Sequence, residues 1–388
     1  MSLNSVTLSA AVRQNLLSLQ GTADLLSTTQ ERLATGKKVN SALDNPTNFF
    51  TAAGLDARAN DISNLLDSIG NGVQVLQAAN TGITSLSSLV DTAKSIANQV
   101  LQQPVGFTTH STSTSAAALA GTSANLVDGT DIKSGETIAF AASGSLPAVT
   151  VTFGATESLA QLNTALAPGD LTASINSSNE LVFTSTNDAA GSTIGAITLG
   201  GAGTTTFGAG TAPVADPVSQ ATRANLVAQY NQIITQITTT AQDSSFNGIN
   251  LLNGDELKLV FDETGKSSLT ISGVTFNPAG LGLTSLTAGT DFIDNNTTNN
   301  VLAALNTASV TLRSQASAFG ANLSIVQIRQ DFNKNLINVL QTGSGNLTLA
   351  DSNEEAANSQ ALSTRQSIAT SALSLANQSQ QGVLQLLR

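Results

Sequence analysis

The 388 residues include no cysteine, no tryptophan, one histidine (His110), one tyrosine (Tyr230) and one methionine. Without cysteine there is no disulfide, zinc finger, thiolate nucleophile or cysteine-held cluster. One histidine cannot furnish a multi-histidine metal site or an HExxH metalloprotease helix. His110 stands in Thr108-Thr109-His110-Ser111-Thr112, with no glutamate beside it. No catalytic residue, cofactor site or metal site is expected. Charge is scarce as well: 11% of residues are charged, less than half the usual share of about 25%. No apolar run approaches the ~18 residues of a membrane span, so membrane insertion is not expected. No basic stripe exists, which makes nucleic acid and anionic lipid poor partners. Met1 to Ala10 is polar and lacks a basic region followed by an apolar run. It does not read as a standard secretory signal, so the expectation is cytoplasm or export without a cleaved signal.

What is present divides the chain in three. The net charge is −11, and residues 104–218 hold −7 of it, with one basic residue (Lys133) against eight acidic ones. Five of the seven prolines lie there too, while 47–103 and 279–388 have none. Long helices need that absence, because an interior proline costs about 3 kcal/mol.

Both outer parts carry seven-residue periodicity. Val12, Leu19, Leu26 and Leu33 form one series, ended by Thr35-Gly36-Lys37-Lys38 and a turn at Asp44-Asn45-Pro46. Ile62, Ile69, Leu76, Ile83, Val90 and Ala97 form a longer one. Such spacing predicts a coiled-coil-like helix from Thr47 to Gln103, roughly 85 Å long at about 1.5 Å per residue. In the last part Leu305, Leu312, Phe319, Val326 and Leu340 keep the same phase, interrupted by polar Asn333. Leu362, Ala369, Ala376 and Val383 continue it near the C-terminus. Between them, Ala221 to Ala241 reads as a helix, and Leu257 to Phe276 as a β-hairpin around Glu263-Thr264-Gly265-Lys266. The Asp262-Glu263 pair is put down to turn chemistry.

The middle part is rich in Thr, Ser, Ala and Gly, with short β-like runs at Thr137–Ala141, Ala148–Phe153, Leu171–Ile175, Leu181–Ser185 and Ile194–Leu199. A short helix is expected over Ser158–Leu166. Disordered low-complexity sequence is the competing reading. Asp128, Asp131 and Glu136 offer weak hard-cation ligands, but solvated acidic surface is the better reading. The fold class expected is therefore mainly α with β. Long N- and C-terminal helices pack together, a helical bundle carries a β-hairpin, and a β-rich domain is inserted. The apolar stripes exceed what one helix pair can bury, which asks for other subunits; a non-closing contact would give a filament.

Three segments carry a resemblance. Glu31-Arg32-Leu33-Ala34-Thr35-Gly36-Lys37-Lys38-Val39-Asn40-Ser41-Ala42-Leu43-Asp44-Asn45-Pro46 closely resembles the bacterial flagellin signature, roughly RLSTGKRINSAxDDPA. Ser245-Phe246-Asn247-Gly248-Ile249-Asn250-Leu251-Leu252 resembles that family's FNGxxLL segment. Ala376-Asn377-Gln378 through Gly382-Val383-Leu384-Gln385-Leu386-Leu387 resembles its close. The resemblance implies a subunit of the helical flagellar filament used for swimming. It implies an inner coiled-coil domain (1–40 and 345–388), a helical bundle with a hairpin (41–103 and 219–344) and a surface-exposed outer domain (104–218). It further implies self-assembly with Leu16, Leu19, Leu26, Leu33, Leu373, Val383, Leu384 and Leu387 at the interface. Terminal helices that are mobile in the monomer would order on assembly. The partners it implies are an export chaperone and junction and cap proteins. The place it implies is outside the cell, reached through the flagellar secretion channel. Alternatives are the hook–filament junction protein, which is similar at both ends, and a flagellin whose outer domain also acts as an adhesin or carbohydrate binder.

The chain departs from that family's pattern twice. The insert falls before the Ala221–Ala241 helix rather than after the FNG segment, so the outer domain leaves the core at another point. The arginine-rich stretch of members sensed by the animal innate receptor is here Val90-Asp91-Thr92-Ala93-Lys94-Ser95-Ile96-Ala97-Asn98-Gln99. Thr92 replaces an arginine and Ser95 a glutamate, and threonine offers no guanidinium fork. Weak or absent recognition by that receptor is expected.

Overall fold

A computed structural model describes residues 10–386. The chain forms two units, one from the chain up to Gly70, Leu259–Leu269 and the chain from Val326, the other from Asn71–Lys258 and Thr270–Ile325. The order begins α1 (Ala10–Thr35), α2 (Pro46–Leu101), β1 (Phe107–Thr109), β2 (Thr112–Thr114), β3 (Thr137–Phe140) and β4 (Val149–Thr152). Then come α3 (Leu159–Leu166), β5 (Leu171–Ile175), β6 (Leu181–Ser185), β7 (Ile197–Gly200) and β8 (Val214–Ala215). The chain closes with α4 (Pro217–Asp243), β9 (Glu256–Val260), β10 (Ser268–Ser272), α5 (Asn295–Thr348) and α6 (Ser352–Leu386). The mainly helical class with an inserted β-rich segment is what the sequence predicts. No helix among the described residues is long and apolar enough to cross a membrane.

In the first unit α1 packs against α6. The part of α2 in this unit buries Ala59, Ile62 and Ile69, and α5 buries Val326, Asn333 and Leu340. Ala59, Ile62 and Leu340 form a small core with Leu55, Leu336 and Ile337. Asn333, the polar break in the periodic series, is buried and donates from Nδ2 to the Phe261 carbonyl at 3.0 Å. The Arg329 guanidinium lies 5.8 Å from the Phe261 ring centre. Arg58 and Glu263 form an ion pair at 2.7 Å. Glu263 therefore has a partner far along the chain, which corrects the reading of Asp262-Glu263 as turn chemistry alone. Asp262 does fit that reading: its carboxylate accepts from the Thr264 hydroxyl and, at 2.8 Å, from the Ser267 N–H.

In the second unit the predicted heptad positions of α2 (Leu76, Ile83, Val90, Ala97) are all buried. α4 buries Leu226, Tyr230, Ile234 and Ile237, and its part of α5 buries Leu305, Leu312 and Phe319. α4 starts four residues before the predicted Ala221. Asp216 caps it, accepting from the Val218 N–H at 3.1 Å, and Pro217 sits in the first turn, where its missing N–H has no helical partner to lose.

Residues 107–215 hold the strands β1 to β8. One sheet runs β4-β3-β7 and another β2-β6-β5, with antiparallel pairing throughout; β1 pairs with β8. β5 and β6 match the predicted runs residue for residue, and α3 begins after Ser158 through a reciprocal capping box with Gln161. β7 starts three residues later than expected, and β1, β2 and β8 are additional. Alternate residues Ile138 and Phe140 from one sheet and Leu181 and Phe183 from the other share one core with Leu162 and Leu166 of α3. The Phe140 and Phe183 rings meet edge to face at 4.8 Å. A core of this kind replaces the competing reading of disorder.

The root of this segment is tied by Arg223 of α4. Its guanidinium donates to the carbonyls of Pro104 (2.8 Å), Phe292 (2.6 Å) and Gln103 (3.1 Å). Phe292 is fully buried with φ of 58°, a strained backbone for a bulky residue, and its ring lies edge-on to Tyr230 at 5.8 Å. Burial, with the charge of Asp291 adding to it, pushes the Tyr230 hydroxyl up to about 12.

Asn333→Ala should lower stability by about 1–3 kcal/mol, because it strands the Phe261 carbonyl in the interior. A lower urea midpoint is expected, and an unchanged midpoint would remove Asn333 as the hairpin's anchor.

Candidate assembly surfaces

The segment 31–46 forms a joint. α1 stops at Gly36, whose φ of +68° is the left-handed helix terminus that glycine adopts most readily. A second helix break, between α5 and α6, lies alongside. The N–H groups of Lys38 and Val39 donate to the Thr348 carbonyl at 2.7 and 3.3 Å, and the Ala350 N–H donates to the Gly36 carbonyl at 3.0 Å. Lys37 and Leu349 form an antiparallel bridge. Arg32 meets the nearly buried carboxylate of Glu355 at 3.2 Å. The Asp44 carboxylate gathers the N–H groups of Asn40 (2.9 Å) and Ser41 (2.8 Å) and the Ser41 hydroxyl. The N–H bonds of Ser41 and Asn40 hold its carboxyl below the usual range. Asn45 accepts from the Asn48 N–H, and Pro46 opens α2. Gly36, Asn40, Ser41, Asp44 and Pro46 thus serve turns and caps and Arg32 an ion pair, while Leu33 lies exposed.

The second motif is also turn chemistry. Asn247 (φ 50°) and Gly248 (φ 80°) are both left-handed, and Phe246 and Ile249 exchange two backbone hydrogen bonds across them, a tight primed turn. Asn250 donates to the carbonyls of Ala241 and Gln242 at 2.8 and 2.9 Å, closing the end of α4.

The terminal helices show apolar side chains on their outer faces. Of the expected interface residues, Leu16 and Leu33 are exposed, and Leu19, Leu26 and Leu373 are half-buried. The side chains of Val383 and Leu384, and all of Leu387, lie outside the described residues. Heptad counting leaves out Leu17 and Leu25 and sets Ile368 and Leu375 beside its series; all four are well exposed. It follows one stripe per helix, and these four lie beside it. α5 has a second stripe as well: Ile328, Phe332 and Val339 are 68%, 54% and 66% exposed, offset around the helix from buried Val326, Asn333 and Leu340.

Several hydroxyls on these helices are occupied. On α6 Thr364, Ser367 and Ser371 donate to the carbonyls four residues back, Gln360, Ser363 and Ser367, at 2.9–3.1 Å. With Ile368, Ala372 and Leu375 they line an open groove of about 600 Å³. On α1 Thr22 and Thr28 bond likewise to Ser18 and Asp24.

In the stretch set against the receptor-binding segment, Thr92, Ser95 and Gln99 are exposed, while Val90 and Ile96 are buried and present nothing to a partner. Lys94 pairs with Asp91 at 3.7 Å. The three carboxylates weighed as cation ligands are used internally. One Asp128 oxygen accepts from the N–H groups of Thr130 and Asp131, each at 2.7 Å, and Glu136 accepts from the Lys133 N–H. Burial opposes the charge of Asp128, but these bonds outweigh it and hold its carboxyl below the usual range. No group of three or more His, Cys, Asp or Glu among the described residues is placed to hold a metal.

Long helices with paired termini, clipped where both break, and a β domain inserted in the chain define the class. The bacterial flagellin N-terminal helical region matches residues 4–132, and the flagellin C-terminal helical region matches 302–387, together just over half the chain. Flagellin FljM of Caulobacter vibrioides is 31% identical over 164 residues, 42% of this chain and 59% of that protein. Flagellin FljO of the same bacterium is 30% identical over the same shares. Flagellin A of Rhizobium meliloti is 36% identical over 88 residues, 23% of this chain and 22% of its own length. The chain thus spans a little over half the length of the Caulobacter relatives it matches. It belongs to the bacterial flagellin family.

Gly36→Ala should lower the thermal midpoint by the equivalent of about 1–2 kcal/mol, the price of a left-handed Cβ. Space around the position is open, so Gly36→Asn should lose less. Equal losses would show that backbone conformation is not what glycine supplies here.

Proposed function

We propose that this chain is a structural subunit that polymerises into the helical filament of the bacterial flagellum, used for swimming. The observation that carries this reading is the outer surface of α1, α5 and α6. Bare Leu, Ile, Phe and Val side chains are interleaved there with hydroxyls already bonded to their own helix. Such a face loses little on leaving water, because it has few polar groups to desolvate. In this reading 1–40 and 345–388 form the inner tube, 41–103 and 219–344 the surrounding helical layer, and 104–218 the part that faces water. The concentration of acidic charge in 104–218 supports the last assignment. The subunit leaves the cell unfolded through the flagellar channel, with an export chaperone and with junction and cap proteins as partners. It is an extracellular protein with no enzymatic role.

Seeded polymerisation followed by electron microscopy tests the reading. Removing the last ~20 residues, or making Ile328→Asp/Phe332→Asp, should abolish filaments while circular dichroism keeps the helical signal. Normal filaments from both variants would sink it. The loss of the arginine fork at Thr92 adds a separate expectation: the purified monomer should signal weakly or not at all in a reporter assay for the innate receptor. Strong signalling would overturn that expectation alone.

A further inference from the structure

Three consecutive residues at the start of α5 each hold a different loop of the inserted domain. Asp294, fully buried, caps α5 by accepting from the Thr297 N–H at 2.9 Å, and it also accepts from the Ser145 hydroxyl at 2.6 Å. Asn295 donates to the Asp188 carboxylate at 3.0 Å. Asn296 donates to the Asp170 carboxylate and to the Ser145 carbonyl. Ser145 lies between β3 and β4, Asp170 between α3 and β5, and Asp188 just after β6. We propose that Asp294-Asn295-Asn296 is a latch that fixes the inserted domain on α5, and that it tightens as pH falls.

The geometry concentrates negative charge at this contact. The carboxylates of Asp170, Asp188 and Asp294 come from three separate stretches of chain and gather at one helix start. The helix terminus favours anions, but each like charge opposes the others. Arg223 acts on the Asp294 charge. Burial pushes the Asp170 carboxyl above its usual range; the Asn296 bond works against this, and the charges of Asp188 and Asp294 add to it. The docked state therefore binds the Asp170 proton more tightly than the open state does. Docking is strongest below the ordinary carboxylate value of 3.8 and weakens as pH rises through the raised one.

The chain has no cysteine, so two can be introduced for dyes at exposed Thr150 and Thr307. Single-molecule energy transfer on the whole chain then reads the open fraction. As pH is lowered from 8 to 5 the open fraction should fall. That range stays above the pH at which Asp128 and Asp216, both held below the usual range, take up protons. Asp170→Asn should abolish the response. Asp170 has φ of 54°, a conformation asparagine tolerates, and the amide oxygen still accepts from Asn296. Asn295→Ala/Asn296→Ala should raise the open fraction at every pH. A pH response that survives Asp170→Asn, or no response in the parent chain, overturns the acid-tightened latch. An unchanged open fraction in the folded double variant overturns the latch itself. Should that variant not fold, Asp170→Asn decides alone.

Discussion

The pairing of two helix breaks is the constraint on which the first unit depends. α1 and α6 meet because Gly36 to Val39 and Thr348 to Ala350 interrupt their helices at matching places and bond to each other through backbone groups. Side chains then secure the joint: Arg32 with Glu355, Lys38 with the Asn346 carbonyl, Asp44 with the turn that follows. Helices of low charge have little else to define their register. Apolar contacts are roughly proportional to area and carry no direction, so an axial slip of one turn would cost them little. Directional hydrogen bonds at the break supply what the apolar stripe lacks.

Much of the helical architecture was legible because period seven and the absence of proline are both properties of the chain alone. The buried series in α2 and α5 follow the heptad residues almost one for one, and α2 ends two residues from its predicted limit. What stayed hidden depended on partners far along the chain. Asn333 reads as an interruption until the Phe261 carbonyl, 72 residues earlier, is placed beside it. Glu263 reads as turn chemistry until Arg58 is found. β1 (Phe-Thr-Thr) and β2 (Thr-Ser-Thr) have three residues each and β8 has two, too few for an apolar alternation to mark them. The second apolar stripe was missed for a different reason: counting one phase per helix selects the side that the chain buries for itself.

The inserted domain has its own core, yet its attachment is polar. Arg223 spends its guanidinium on three backbone carbonyls, and one turn of α5 reaches three loops. Such contacts are geometrically specific and individually limited, about 1.5–3 kcal/mol each for hydrogen bonds with a charged partner. Their number, rather than the strength of any one, fixes the orientation, which makes the seat more responsive to charge than a greasy interface would be.

The self-bonded hydroxyls of α6 have a mechanical consequence. Thr364, Ser367 and Ser371 have their protons committed to their own helix, so they offer a neighbour bumps and hollows but no donor to grip. Two such surfaces in contact interlock by contour, like the teeth of meshed gears. Moving one past the other means climbing over side chains, with no bond donated by these hydroxyls to break and remake, and the height of those side chains then adds to the resistance to shear.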